Sequence, residues 1–125
     1  MSDERGVEIL LVEDNQTILE AFSILLTESG YPVITAASGK DALELAAEHS
    51  PGLVLLDLGL PDMNGLEVVR ALKSAKSTAG IPVIAITGHA LDTDREACLA
   101  AGCVGYVTKP VDTRKLLALI PSHLD

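Results

Sequence analysis

Five short apolar runs, separated by helix-length stretches, constrain this chain more than any other feature. They are residues 8–13 (EILLVE), 33–37 (VITAA), 53–57 (LVLLD), 82–87 (PVIAIT) and 104–107 (VGYV). Runs so short and apolar read as strands of a parallel sheet, buried on both faces. The stretches between them carry helical spacing and punctuation. Asn15 stands where an N-cap belongs, Ile18, Phe22, Leu25 and Leu26 share one face, and Gly30 closes the segment. Ser38-Gly39 opens a second helix, whose Ala42, Leu43, Ala46 and Ala47 make a small packing face before Ser50-Pro51-Gly52. A loop over 58–64, with Pro61 and an Asn64-Gly65 turn signal, leads to a third helix over 65–74 with Leu66, Val69 and Leu72 inward. Residues 75–80 are a small polar connection, and Pro82 suits only the first position of its strand. A fourth, alanine-rich helix covers 88–101 and stops at Gly102; Asp112 caps a fifth carrying Leu116, Leu117, Ile120 and Leu124.

Strict alternation of strand and helix means right-handed βαβ units, hence an α/β fold with one parallel five-stranded sheet covered on both faces. The 125 residues are expected to form a single domain, 1–125, with its core over 7–124. Phe22, Tyr31 and Tyr106 are the three aromatic residues, so the core must be aliphatic. A net charge of −9 argues against nucleic acid or an anionic membrane as partner. Met1–Gly6 lacks the apolar centre of a signal peptide, and no apolar run approaches the roughly 20 residues of a membrane span. Cys98 and Cys103 fit neither a CxxC redox motif nor a zinc pattern and read as reduced core fillers. A cytoplasmic location is expected.

The strands of a parallel sheet point the same way, and ligands of such sheets bind outside the carboxyl ends. Glu13 and Asp14 follow the first strand, Asp57 ends the third, Thr87 the fourth, and Lys109 follows the fifth. Three carboxylates at one edge cannot all stay ionised unless cations compensate. Lys109 supplies one charge, and a hard divalent ion supplies the rest. Mg²⁺ suits a few carboxylates completed by waters and phosphate oxygens. Each residue alone has an ordinary reading: Asp14 as a cap, Lys109 as a solvated loop lysine, Thr87 as a hydroxyl bonded to local backbone. Their convergence points to chemistry.

Val12-Glu13-Asp14-Asn15, Leu56-Asp57, Pro61-Asp62-Met63-Asn64-Gly65, Thr87-Gly88 and Lys109-Pro110 together resemble the receiver domains of two-component response regulators, over essentially the whole chain. The resemblance implies a doubly wound sheet of strand order 2-1-3-4-5. It implies that Asp57 accepts a phosphoryl group from a phosphohistidine in a Mg²⁺-dependent reaction, with Mn²⁺ as a substitute. Asp14 and Asp57 would hold the ion, joined by the Gly59 backbone carbonyl and by Glu13, directly or through water. Lys109 would pair with phosphoryl oxygens, and Thr87 Oγ would donate to one of them. Tyr106 would then turn inward and relay the change to the surface of the fourth helix, fifth strand and fifth helix. A cis bond before Pro110 is implied as well. Gly59 has no side chain to cover the acyl phosphate, Gly88 is a further modulating position, and His89 at the mouth of the site is expected to set the phosphoryl lifetime. Met63 is expected to pack, and His49 and His123 to be solvated.

The implied partners are a histidine kinase or histidine phosphotransfer protein as donor and a downstream protein, with the chain a monomer or a weak phosphorylation-dependent dimer. It would be a stand-alone receiver or a piece of a hybrid kinase or longer regulator. Three other functions fit less well. An aspartyl-phosphate phosphatase wants a second acid two residues after the nucleophile, where Gly59 stands. A nucleotide or flavin binder wants a phosphate-cradling loop where Glu13-Asp14 stands. A phosphate-independent interaction module would lack Asp57, Thr87 or Lys109, and all three are present.

Overall fold

A computed structural model describes residues 7–88 and 92–121. Within them strands and helices alternate: β1 (Ile9–Val12), α1 (Gln16–Glu28), β2 (Val33–Ala36), α2 (Gly39–His49), β3 (Leu53–Asp57), α3 (Gly65–Ser74), β4 (Val83–Thr87), α4 (Asp92–Ala101), β5 (Gly105–Thr108) and α5 (Thr113–Leu119). The strands form one parallel sheet of order β2-β1-β3-β4-β5. Every residue of β1, β3 and β4 is buried, as the apolar runs require of central strands.

Side chains alternate across the sheet and sort into two cores. Leu10, Val12, Val54, Leu56, Val83 and Ala85 face Ala42 and Ala46 of α2, Val68, Val69 and Leu72 of α3, and Cys98 of α4. Ile9, Leu11, Leu53, Leu55, Ile84 and Ile86 face Leu19 and Leu26 of α1, Leu116 of α5 and Ile120 just past its end. The sheet is thus doubly wound, with α2, α3 and α4 on one face and α1 and α5 on the other. No helix among the described residues is long and apolar enough to cross a membrane.

Capping follows side-chain chemistry. Asn15 accepts from Ile18 N–H, Ser38 from Asp41 N–H, and Asp112 from Arg114 and Lys115 N–H. Gly30 and Gly102 hold φ of 99° and 117° just past their helices, where L side chains are strained. Asn64 is the N-cap of α3 and accepts from Leu66 N–H, so the Asn64-Gly65 pair marks a helix start rather than a free-standing turn. Gly65 is required by packing, since a Cβ there would lie 2.5 Å from Leu58 Cα.

Several expectations shift by a residue. The inward face of α1 centres on Leu19 and Leu26, seven apart, with Ile18, Phe22 and Leu25 half-buried beside it. In α3 Val68 is buried with Val69 and Leu72, while Leu66 lies at the margin. Ala47 is exposed, because Ala42 and Ala46 already define the inward stripe and one more residue rotates out of it. β5 begins at Gly105; exposed Val104 keeps only a backbone bond, its N–H to the Val83 carbonyl at 2.9 Å. In the polar connection after α3, Thr78 is buried and its hydroxyl donates to the Leu72 carbonyl at 2.6 Å. Cys98 and Cys103 are buried and form no disulfide, and burial pushes the Cys103 thiol up to about 12, which keeps it protonated. Met63 packs against the first core. His49 is exposed with its Nδ1 3.5 Å from Glu8 Oε1, while Leu124 and His123 lie outside the described residues.

Candidate functional site

The carboxyl edge of the sheet brings Asp57, Glu13, Asp14, Thr87 and Lys109 together. Asp57, the last residue of β3, is only 4% exposed. Its Oδ1 accepts from Gly59 N–H at 2.9 Å, and its Oδ2 accepts from Lys109 Nζ at 2.9 Å. Glu13, directly after β1, is also 4% exposed, and its Oε2 accepts from Asn15 N–H at 3.0 Å. Lys109 Nζ stands 3.9 Å from Glu13 Oε1, so one ammonium serves two buried carboxylates. Asp14 is exposed. One carboxylate oxygen each from Glu13, Asp14 and Asp57 can be chosen so that all lie within 4.8 Å of one another.

Backbone bonds hold this constellation. Glu13 N–H donates to the Ala36 carbonyl at 3.0 Å, extending the β1–β2 pairing by one residue. Lys109 N–H donates to the Thr87 carbonyl at 2.8 Å, and Leu58 N–H to the Ile86 carbonyl at 3.0 Å. These two bonds carry the β4–β5 and β3–β4 pairings into the loops and set where Lys109 and the loop after Asp57 leave the sheet. The Lys109–Pro110 peptide bond is cis.

Electrostatics separates the two buried carboxylates. Burial raises Glu13 to about 7, reinforced by Asp57 and opposed by Asn15 N–H and Lys109. Burial acts on Asp57 in the same direction, but Gly59 N–H and the Lys109 ammonium outweigh it and hold Asp57 below the ordinary range. Lys109 loses from partial burial and gains more from Asp57, so it sits above its ordinary value. Of the two buried carboxylates, Asp57 is the one held toward its ionised form and Glu13 the one pushed toward its protonated form. The donor set, crowded carboxylate oxygens beside an open cleft, fits a hard divalent cation bound by oxygen.

A cleft of about 290 Å³ opens on Asp57, lined also by Gly59, Thr87, Gly88 and Lys109. Thr87 is 4% exposed. A Cβ on Gly59 would stand 3.6 Å from Asp57 Oδ1, an ordinary contact, and one on Gly88 would meet nothing within 4 Å. Sterics therefore do not demand either glycine. Tyr106 lies half-buried on β5, opposite Ala85, and lines a separate hollow of about 370 Å³ with Pro110, Asp112 and Leu119. His89 lies outside the described residues. Sequence reasoning missed Asn64 and Leu66 in the cleft wall. It also assigned no role to Asp62, whose Oδ1 accepts from Gly39 N–H at 2.8 Å and Oδ2 from Lys40 N–H at 3.1 Å. The Pro61–Gly65 motif holds Asp62 and Asn64 without showing what they do, and the partners of Asp62 lie far off in sequence.

Residues 9–121 match the profile of the response regulator receiver domain. The chain belongs to the response regulator receiver family. It is 40% identical over 116 residues to DivK, a polar-differentiation response regulator of Brucella ovis, covering 93% of this chain and 94% of that one. A CheY-like response regulator receiver domain protein of Methanospirillum hungatei superposes with a TM-score of 0.89 at 33% identity, over 96% of this chain and 94% of its own. The receiver domain of a sensor histidine kinase from Pseudomonas aeruginosa, with a magnesium ion coordinated in its active-site cleft, superposes with a TM-score of 0.87 at 34% identity, over 95% and 98% of the two chains. The doubly wound fold and strand order are those of receivers. Receivers act as switches in two-component signalling, between histidine kinases or phosphotransfer proteins and downstream partners.

Proposed function

We propose that this receiver works by phosphoryl transfer to Asp57 from a phosphohistidine on a histidine kinase or phosphotransfer protein. The observation that carries this reading is the buried Asp57 carboxylate, 2.9 Å from Lys109 Nζ and grouped with Glu13 and Asp14. Glu13, Asp14, Asp57 and the Gly59 carbonyl are the proposed holders of Mg²⁺, or of Mn²⁺ in its place. The bound cation would neutralise charge on the transferring group. The crystallographic neighbour with magnesium in its cleft supports that assignment.

An Asp57 oxygen attacks phosphorus while the P–N bond to the donor imidazole breaks, and the imidazole takes up a proton. Such a transfer needs alignment and charge neutralisation more than acid–base chemistry. Gly59 N–H and Lys109 orient the carboxylate, and Lys109 then pairs with the phosphoryl oxygens. Thr87 Oγ donates to the phosphoryl group, and Tyr106 carries the change to the α4–β5–α5 surface, where the downstream partner binds. Gly59 and Gly88 leave the acyl phosphate open to water, and His89 tunes its lifetime; an unchanged dephosphorylation rate in His89→Ala rules that out.

Residues 1–125 act as a single receiver domain, cytoplasmic, without nucleic acid or membrane as partner, monomeric or weakly dimeric on phosphorylation. The switch catalyses only its own phosphorylation and dephosphorylation. Transfer from a labelled phosphohistidine donor tests the reading. Label is expected on the wild type with Mg²⁺ and lost in Asp57→Asn or with chelator. An unlabelled wild type refutes it.

A further inference from the structure

The chemistry proposed above depends on where Gly59 sits, since its N–H holds Asp57 Oδ1 and its carbonyl is a proposed cation ligand. Gly59 is exposed and lies in the loop between β3 and α3, which has no regular structure of its own. The base of that loop is closed by Gly65 N–H, donating to the Leu58 carbonyl at 3.2 Å, and by the close approach of Gly65 to Leu58. Its outer part is held differently. The Asp62 carboxylate spans the N–H groups of Gly39 and Lys40, the first two residues of α2, at 2.8 and 3.1 Å. Ser38, the N-cap of α2, covers only Asp41 N–H at 3.2 Å, so Asp62 completes the end of a helix more than twenty residues earlier in the chain. Beside it Met63 fills the space over Gly39, where a Cβ would fall 2.8 Å from Met63 Sδ. The tip of the loop is therefore pinned to the N-terminus of α2 by one two-oxygen bond and one packing contact.

We propose that Asp62 is a positioning residue for the phosphoacceptor site: its double bond to the α2 N-terminus holds the β3–α3 loop, and with it Gly59, in the geometry that binds the cation. A carboxylate fits this task because its two acceptor oxygens meet two adjacent helix N–H donors at once, and the helix dipole favours its charge. An amide offers one acceptor and turns a donor toward the second N–H. The inference rests on the cation reading above, and it differs from a simple capping role, which would affect stability alone.

The test is a Mg²⁺ titration of ¹⁵N-labelled protein followed at the Gly59 amide, for wild type, Asp62→Ala, Asp62→Asn and Thr78→Val. Thr78→Val removes a buried bond at the C-terminal end of α3, away from the loop, and serves as a destabilised control. Asp62→Ala is expected to weaken Mg²⁺ binding about three- to tenfold, at or below the usual contribution of outer partners of a metal site. Asp62→Asn should fall between it and wild type. The Gly59 amide of Asp62→Ala is expected to shift even in metal-free protein, while Thr78→Val lowers the melting temperature with wild-type Mg²⁺ affinity. Asp62 variants with wild-type Mg²⁺ affinity and an unmoved Gly59 amide overturn the proposal; should the alanine variant not fold, the asparagine variant decides alone. A wild type that binds no Mg²⁺ refutes the cation reading, and the metal-free Gly59 shift then still reports whether Asp62 holds the loop.

Discussion

Asp57 and Glu13 are equally buried, yet their partners drive them apart. Asp57 accepts from Gly59 N–H and a close ammonium, whereas Glu13 accepts from Asn15 N–H with that ammonium a full ångström further off. Glu13, with a folded pKa of about 7, binds more protons in the native state than in the unfolded chain between its ordinary value of 4.5 and that point. Native stability therefore falls as pH rises through this window and stays lowered above it. In chelator, Glu13→Gln removes that penalty and is expected to stabilise the protein by about 1 kcal/mol above pH 7. The gain disappears near pH 4.5, and denaturant melts at the two pH values check it. Lys109 acts on the other carboxylate. Lys109→Ala is expected to slow phosphotransfer about 10²- to 10³-fold, the scale of losing one aligned charge, as single-turnover transfer would measure. Both effects follow from the same few ångströms of geometry.

At the scale of elements, the junction between the Leu58–Asn64 loop and α3 is tightly packed. Gly65→Ala would drive a Cβ to 2.5 Å from Leu58 Cα, and the backbone would have to move. A loss of about 1–3 kcal/mol is expected, with weakened Mg²⁺ binding, measured by melts and titration on the same samples. The limits of sequence reading show here too. β3 and α3 were legible to the residue, because Leu53–Leu56 is uninterrupted and the Asn64-Gly65 turn signal falls where the loop gives way to the helix. The clustering of Asp57, Asp14, Thr87 and Lys109 followed from parallel topology alone, since strand ends share an edge. Burial of Glu13, the Lys109–Thr87 backbone bond and the Asp62 bridge did not. Each depends on contacts between segments distant in sequence, which periodicity does not encode. Ala47 was misplaced because alanine packs inward or outward with little difference, so it carries a weak directional signal.

The molecule is a sheet whose two covered faces build stability and whose carboxyl edge gathers the candidate site. Thr87 and Lys109 join that edge to β5, where Tyr106 faces a hollow of about 370 Å³. Thr87→Ala keeps Asp57 and Lys109 and is expected to accept the phosphoryl group. It should lose the phosphorylation-dependent change in the Tyr106 ring signals, which separates transfer from relay. The central claim concerns which atom carries the phosphoryl group. Protein phosphorylated with Mg²⁺, reduced with borohydride to mark the acyl phosphate, and digested for mass mapping answers this directly. Modification at Asp57 alone, and none in chelator, is the predicted result. Modification at Glu13 or Asp14, or an equally modified Asp57→Asn protein, would contradict it.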